Sequence, residues 1–256
     1  MFEDTMTRHL FKPDHNMFRE QVQRFVETEI LPYHDKWDEL GVVSREVWEK
    51  AGAAGMLCPT VPQEYGGAGA DYLFSVVVME EMARVGASGP GFSIHSEMAA
   101  PYLERFGSED QKSLWLPKFV SGETISGIAL TEPGAGSDLR RMATFAKKTN
   151  TGYVLNGQKV FISNGQLGDV FFVAAKTKNE YATDSVSLFL VEADTPGFSR
   201  GKNLNKIGAK AQDTSELFFS NVEVPHENLP NRRASLTHFR QRMTSKLAKR
   251  KFCISE

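Results

Sequence analysis

The stretch TEPGAGSD, residues 131–138, combines residue types that suit ligand binding. Gly134 and Gly136 leave the backbone unhindered, so that its N–H groups can approach a ligand closely. Thr131 and Ser137 add hydroxyl groups that both donate and accept hydrogen bonds. The stretch lacks the third glycine of a Rossmann fingerprint and the Gly-Lys-Ser/Thr ending of a P-loop. Two interpretations therefore stay open: a site that holds a ligand, or a loop that joins two domains.

A second stretch, FISNG at residues 161–165, gathers an aromatic ring, a hydroxyl group and an Asn-Gly pair. Phe161 could cover the face of a planar cofactor and Ser163 could hydrogen-bond to it, although a plain strand end with a turn would read the same. The six histidines show none of the spacings that bind zinc, and no Gly-x-Ser-x-Gly elbow is present. The sequence therefore predicts no metal site.

Apolar periodicity divides the chain into a helical half and a strand-rich half. One helical stripe consists of Phe18, Val22, Phe25, Val26 and Ile30. We expect that helix to end close to Pro32. After about residue 124, short apolar runs alternate with turns, and Asn156-Gly157 between two runs predicts a β-hairpin. Helices followed by strands predict an α+β multidomain protein, with an all-α domain before a barrel or sandwich.

Bulk properties fit an ordinary globular protein. The chain has 256 residues, a hydrophobic share of 41% and a net charge of −2. No apolar run is long enough to span a membrane, and the N-terminus resembles neither a secretory signal nor a transit peptide. Cys58 and Cys253 are the only cysteines, which fits a reducing compartment. We therefore expect a bacterial cytoplasmic location, with the mitochondrial matrix as the alternative.

Charge is unevenly distributed along the chain. After Glu227 the sequence carries eight Lys or Arg residues and a single acid, Glu256. Such a run is typical of a solvated tail, and also of a segment that contacts nucleic acid or an anionic membrane.

Taken together, these segments resemble the acyl-CoA dehydrogenase family, specifically its long-chain acyl-CoA dehydrogenase-like branch, over about residues 8–229. Among the stretches that carry the resemblance are EYGGAGADY (64–72), IALTEPGAGSDL (128–139), LNGQKVFISNG (155–165) and IGAKAQDTSELFFSNVEVP (207–225). The resemblance implies an N-terminal helical domain at residues 1–124 and a β-barrel-like middle domain, which binds FAD and acyl-CoA, at residues 125–226. It also implies an aberrant basic tail at residues 227–256 in place of the family's C-terminal four-helix domain, which would be missing.

The resemblance also implies which residues hold the FAD. Thr131 would contact the pyrimidine edge of the flavin, Ser163 would lie near its reactive nitrogen, and Ser137 would also touch the acyl-CoA substrate. The residues implied to line the flavin and its phosphates are Ile128, Ala129, Leu130, Thr131, Glu132, Pro133, Gly134, Ala135, Gly136 and Ser137. Those implied to border the isoalloxazine ring are Phe161, Ile162 and Ser163.

The activity implied by the resemblance is α,β-desaturation of a fatty acyl-CoA in β-oxidation, a reaction of an oxidoreductase that acts on CH–CH bonds. In the family a glutamate removes the α-proton while the flavin takes up the β-hydrogen, and an electron-transferring flavoprotein accepts the electrons. The family forms tetramers or dimers, an assembly that loss of the helical domain would compromise. We expect neither nucleic-acid binding nor stable membrane insertion.

The sequence departs from the family's pattern after Leu229. PNRRASLTHFRQR stands where the family has an acidic, glycine-containing run, and Arg250 falls near the position of the catalytic glutamate. Because an arginine stays protonated at neutral pH, it cannot act as the base. We therefore expect a truncated copy, from a shifted reading frame, whose activity is impaired or lost. The alternative is a non-catalytic flavin- and CoA-binding or regulatory protein whose basic tail contacts anionic lipid or nucleic acid.

Overall fold

The computed structural model describes residues 10–178 and 184–229. Its first part is helical and its second part is a β-sheet, so the predicted order of a helical domain and then a β domain is confirmed. Arg250 and the rest of the tail at residues 230–256 lie outside the described residues. Within the described ranges, no helix is long and apolar enough to cross a membrane.

Six α-helices make up the first part. The predicted apolar stripe is confirmed, because Val22, Val26 and Ile30 are completely buried. The predicted end near Pro32 is wrong: a π-helical turn, Val26–Ile30, joins α1 directly to α2. Pro32 lies in the first turn of α2, where a missing N–H group is tolerated. The helices are α1 (Pro13–Phe25), α2 (Leu31–Leu40), α3 (Glu46–Ala53), α4 (Tyr72–Arg84), α5 (Ala100–Phe106) and α6 (Glu109–Ser121).

Seven strands form one sheet in the second part. They are β1 (Ser126–Ala129), β2 (Phe145–Lys148), β3 (Gly152–Ser163), β4 (Val170–Lys178), β5 (Asp184–Glu192), β6 (Phe198–Asn203) and β7 (Thr214–Pro225). Their spatial order is β1-β4-β2-β3-β7-β6, and β5 also pairs with β4. The short strand β1 runs parallel to β4, which brings the chain from the helices straight into the sheet.

The Asn156-Gly157 pair is not a hairpin turn, and that prediction is wrong. Strand β3 runs through the pair, with a shift in its register against β7 between Leu155 and Gly157. Gly157 has a φ of 147°, and a Cβ added there would lie 2.4 Å from Oγ1 of Thr144. The glycine is therefore required by a β-bulge and by close packing rather than by a turn. The turn that precedes β3 lies at residues 149–152 instead.

Apolar side chains join the helices to the sheet. Leu116 and Phe119 of α6 belong to the same buried cluster as Phe172 of β4 and Leu190 of β5. Burial of such side chains is the main favourable contribution to folding. Because β1 follows α6 after only a few residues, this packing fixes the start of β1, and hence the loop after it, against the helical domain.

Candidate functional site

The TEPGAGSD stretch forms an exposed turn directly after β1. Glu132 and Ala135 exchange two backbone hydrogen bonds of 2.9 and 3.1 Å, with Pro133 and Gly134 at the corner between them. Proline suits this place because its fixed φ matches the second position of a turn. Residues 136–138 after the turn are exposed. The backbone of this loop is therefore open to the surroundings of the protein.

A buried ion pair fastens this turn to β3. Nζ of Lys159 lies 2.7 Å from Oε1 of Glu132 and donates to the carbonyl oxygen of Leu130 at 3.2 Å. The carboxylate of Glu132 also accepts the backbone N–H groups of Ala143, at 2.6 Å, and of Thr144, at 3.1 Å. Burial alone would raise the pKa of Glu132, but the hydrogen bonds from Lys159, Thr144 and Ala143 outweigh it and lower that pKa. Burial lowers the pKa of Lys159, and the Glu132 carboxylate opposes this effect. Glu132 is therefore ionised at neutral pH and faces the protein interior rather than a ligand.

The end of β3 lies beside the same turn. The N–H group of Val160 donates to the carbonyl oxygen of Thr131 at 2.9 Å, which makes the two predicted stretches neighbours. Phe161 follows with a φ of 59°, an uncommon backbone conformation for a bulky residue, and it is 67% exposed. The register of β3 against β7 shifts between Lys159 and Ile162, so this bulge presents the Phe161 ring on the surface.

A buried histidine holds β1 to the helical domain. Nδ1 of His95 accepts the backbone N–H of Ser126 at 3.1 Å and lies 2.8 Å from the Ser126 hydroxyl oxygen. Because Nδ1 accepts from a backbone N–H, the proton resides on Nε2, which donates to the carbonyl oxygen of Phe119 at 2.9 Å. Burial lowers the pKa of His95 to about 4, so the ring is neutral at physiological pH. Nδ2 of Asn164 donates to the carbonyl oxygen of Ser126 at 2.9 Å and ties the end of β3 to the same point.

The structure brings the predicted site residues together along β1, the loop and the end of β3, but it exposes only some of them. The half-buried residues are Ile128, Leu130, Thr131 and Ser163, and the exposed ones are Pro133, Gly134, Gly136, Ser137 and Phe161. The buried ones are Ala129, Glu132, Ala135 and Ile162. These four could meet a ligand only through their backbone atoms.

Space and available donors at the turn favour a ligand there. A Cβ added to Gly134 or Gly136 would have no protein atom within 4 Å. In the part of the chain that the structure describes, the backbone N–H groups of Gly136 and Ser137 and the hydroxyl groups of Thr131, Ser137 and Ser163 find no hydrogen-bond partner. Exposed N–H groups in a turn suit an anion such as a phosphate, and the exposed Phe161 ring suits a planar ligand.

Two residues that hold the site in place were absent from the sequence-based prediction. Lys159 gave a local signal, because a lysine inside the apolar run KVFI needs an acceptor if the strand is buried. His95 gave no such signal, because its partners Ser126 and Phe119 are distant from it in the sequence.

Family models match two consecutive parts of the chain. Residues 12–123 match the acyl-CoA dehydrogenase N-terminal domain. Residues 127–222 match the acyl-CoA dehydrogenase middle domain. The first match covers the helices and the second covers most of the sheet, including the loop at residues 131–138.

Curated relatives agree with these matches. The mitochondrial long-chain specific acyl-CoA dehydrogenase of Rattus norvegicus is 46% identical over 224 residues, which make up 87% of this chain and 52% of the relative. An acyl-CoA dehydrogenase of Bacillus subtilis is 37% identical over 214 residues, which make up 83% of this chain and 56% of the relative. The chain thus spans about half the length of the curated relatives it matches.

Solved structures show the same likeness. The crystal structure of an acyl-CoA dehydrogenase from Geobacillus kaustophilus superposes with a TM-score of 0.86 at 43% identity, over 93% of this chain and 63% of that one. An acyl-CoA dehydrogenase from Bacillus anthracis, complexed with FAD, superposes with a TM-score of 0.80 at 32% identity, over 93% of this chain and 40% of that one. Sequence and fold agree across both parts of the structure, and the chain belongs to the acyl-CoA dehydrogenase family.

Proposed function

We propose that the chain binds FAD between the loop at residues 131–138 and the end of β3. The observation that carries this proposal is an exposed turn with N–H groups that are unpartnered within the described residues, and that lies beside an exposed aromatic ring. The two are neighbours because Val160, which precedes the exposed Phe161, donates a hydrogen bond to Thr131. FAD combines a flat three-ring system with an anionic diphosphate, and these two groups need the two kinds of surface that this site offers. Bound flavin would supply an acceptor for two electrons.

Different residues of the chain would contact different parts of the flavin. The Phe161 ring would cover one face of the isoalloxazine system, while the Thr131 hydroxyl would contact its pyrimidine edge and Ser163 its reactive side. The backbone N–H groups of Gly136 and Ser137 would meet the diphosphate, with Ser137 also in reach of an acyl-CoA. The half-buried positions of Thr131 and Ser163 and the exposure of Phe161 and Ser137 support this assignment.

As the substrate we propose a fatty acyl-CoA, which undergoes α,β-desaturation when a complete active site is present. The similarity to long-chain specific relatives supports this substrate class. We further propose that an electron-transferring flavoprotein accepts the electrons and that the functional form is a homo-oligomer. The relatives are mitochondrial and bacterial proteins, which supports the mitochondrial matrix or the bacterial cytoplasm as the location.

We also propose that this chain, made alone, has negligible dehydrogenase activity. Removal of the α-proton needs a base close to the substrate, and the resemblance puts Arg250 near that position. A guanidinium group stays protonated at neutral pH and accepts no proton. A dye-reduction assay with a long-chain acyl-CoA tests this: turnover close to that of a full-length relative would contradict it.

The flavin proposal is tested by adding FAD to the purified chain and following the visible absorbance and fluorescence of the flavin. We expect binding by the native chain and roughly tenfold weaker binding by Phe161→Ala, a loss of about 1.4 kcal/mol. Tyr33→Ala is the control, because Tyr33 is also an exposed aromatic residue but lies on α2 rather than on the loop or the sheet. A native chain that takes up no FAD, or equal losses in both variants, would contradict the proposal.

A further inference from the structure

Lys159 and Glu132 form an ion pair in the interior of the protein rather than on its surface. Lys159 is 0% exposed and Glu132 is 6% exposed. The ammonium group of Lys159 contacts both Glu132 and the carbonyl oxygen of Leu130. One side chain of β3 therefore holds two residues that flank Thr131.

Glu132 extends the same connection toward β2. Its Oε2 accepts the N–H of Ala143 and its Oε1 accepts the N–H of Thr144, which lies directly before β2. Every polar atom of the carboxylate is thus engaged with a strand or with the chain entering one. Other ties of the loop at residues 131–138 include the two bonds between Glu132 and Ala135, the bond from Val160 to Thr131 and the bond from Arg141 to the carbonyl oxygen of Asp138.

There is a physical reason for this loop to be held mainly by side chains rather than by its own backbone. A loop whose backbone N–H groups are to meet a ligand cannot use the same groups to hold its own shape. The shape must then come from side chains that reach in from neighbouring elements. A buried ion pair gives little net stability, because removing two charges from water offsets most of their attraction. It does, however, select strongly among conformations, since any arrangement that separates the two charges leaves each of them buried and unpaired.

We propose that Lys159 and Glu132 are a positioning pair that sets the loop at residues 131–138, together with the adjoining end of β3, in its ligand-binding conformation before any ligand is present. For the identity of the ligand, this inference rests on the proposed FAD site. Neither residue touches the ligand through its side chain; both act through the backbone of Thr131 and of the turn that follows.

The experiment compares amide hydrogen exchange in the native full chain with exchange in the double variant Glu132→Gln/Lys159→Met, both without flavin. Replacing a buried ion pair with neutral side chains of similar volume is tolerated by protein cores, so we expect the double variant to fold. We expect exchange to rise at least about tenfold at the hydrogen-bonded amides of the region, those of Glu132, Ala135, Ala143, Thr144 and Val160, and exchange in the core of β4 to stay unchanged. FAD added afterwards should bind at least about tenfold more weakly to the double variant than to the native chain.

The matched control is Glu46→Gln/Lys50→Met, the same chemical change at an exposed pair on α3. Those charges lie 2.7 Å apart, with side chains 69% and 42% exposed. The control should alter neither loop exchange nor FAD binding. If the double variant of the buried pair is unfolded, Glu132→Asp replaces it: it keeps the charge but shortens the reach, and we expect roughly threefold faster loop exchange.

Loop exchange at the native rate in a folded variant of the buried pair would overturn the inference. If the native chain takes up no FAD while the exchange difference appears, the proposed ligand fails and the positioning pair stands. If the native chain and the double variant bind FAD equally, the pair has no bearing on ligand binding and the inference fails alone.

Discussion

EYGGAGAD at residues 64–71 and EPGAGSD at residues 132–138 both contain Gly-Ala-Gly between two acidic residues. Protein atoms pack closely against Gly67 of the first loop, whereas none from the described part of the chain lies near the glycines of the second. In the first loop a Cβ on Gly67 would lie 2.0 Å from the carbonyl oxygen of Val61. Gly66 and Gly69 have φ angles of 84° and 60°. The loop also holds itself through backbone hydrogen bonds, such as that from Gly69 to Val61 at 2.8 Å.

The glycines of the second loop are under neither of these constraints, although this loop too has internal backbone hydrogen bonds, between Glu132 and Ala135. Gly134 and Gly136 have neither a positive φ nor a protein atom within 4 Å of an added Cβ. Side chains from other elements hold this loop, chiefly Lys159 through its ion pair with Glu132. Neither backbone conformation nor space in the described fold requires glycine here, and we propose that glycine serves the approach of a ligand to the backbone. The same composition thus has a structural cause in one loop and, by our proposal, a functional cause in the other.

The largest effect that we expect is from Gly67→Ala in the first loop. The added methyl group would overlap the backbone of Val61, which cannot move away as a flexible side chain would. We expect a loss of at least about 3 kcal/mol in the free energy of unfolding, measured by urea denaturation. Gly134→Ala is the control in the second loop and should change stability by less than about 0.5 kcal/mol. Equal losses in the two variants would remove the distinction between the loops.

Acid should destabilise the protein through His95, which holds β1 directly before the second loop. The pKa of His95 is lowered from 6.5 to about 4, so the unfolded chain binds a proton at this residue over a range where the folded chain does not. Stability from this group is complete above pH 6.5 and is lost as the pH falls to about 4. The expected loss across that range is about 3 kcal/mol, since each pKa unit corresponds to 1.36 kcal/mol.

The measurement is urea denaturation at several pH values, on the native chain and on His95→Gln, which does not titrate in this range. The native chain should lose about 3 kcal/mol more than the variant between pH 6.5 and 4. Parallel pH profiles for the two proteins would show that His95 does not anchor β1 as a neutral ring.

Local patterns in the sequence predicted what depends on local chemistry. The stripe containing Val22, Val26 and Ile30 predicted a buried helix face, and this is confirmed. Asn156-Gly157 predicted a turn, but β3 continues through the pair, because the space beside Thr144 requires a glycine in a bulge. A local pattern shows that glycine is needed without showing which of several reasons applies.

In the candidate site, too, the sequence predicted the residues with a local pattern and missed those whose role depends on distant contacts. TEPGAGSD and FISNG stood out because their residue types are unusual over a few positions. The side chains that hold them could not be found so, since His95 meets Ser126 and Lys159 meets Glu132 only after the strands have paired. Support for a site comes from tertiary contacts, which a single sequence does not display.

Gly136→Ala should separate ligand binding from stability in the second loop. Because the position has open space and no positive φ, we expect the free energy of unfolding to change by less than about 0.5 kcal/mol. A methyl group on the proposed ligand face should weaken FAD binding roughly tenfold, or about 1.4 kcal/mol, in a fluorescence titration. Gly208→Ala is the control, since Gly208 is also exposed with no neighbouring atoms and lies far along the chain. Unchanged FAD binding in Gly136→Ala would remove the functional reason for that glycine.

Gly69→Ala gives the smallest expected effect. It separates the two reasons for glycine in the first loop, which are occupied space and backbone conformation. The added Cβ would find its closest neighbour, Cγ of Gln63, at 3.7 Å, an ordinary contact, so space is not limiting here. The φ of 60° is the remaining penalty, and a left-handed conformation costs a residue with a Cβ about 1 kcal/mol. Urea denaturation should therefore place this variant between Gly67→Ala and Gly134→Ala. A loss as large as that of Gly67→Ala would mean that backbone conformation, rather than occupied space, governs the whole first loop. A loss near zero would mean that the loop adjusts its backbone freely, and its contrast with the second loop would then rest on Gly67 alone.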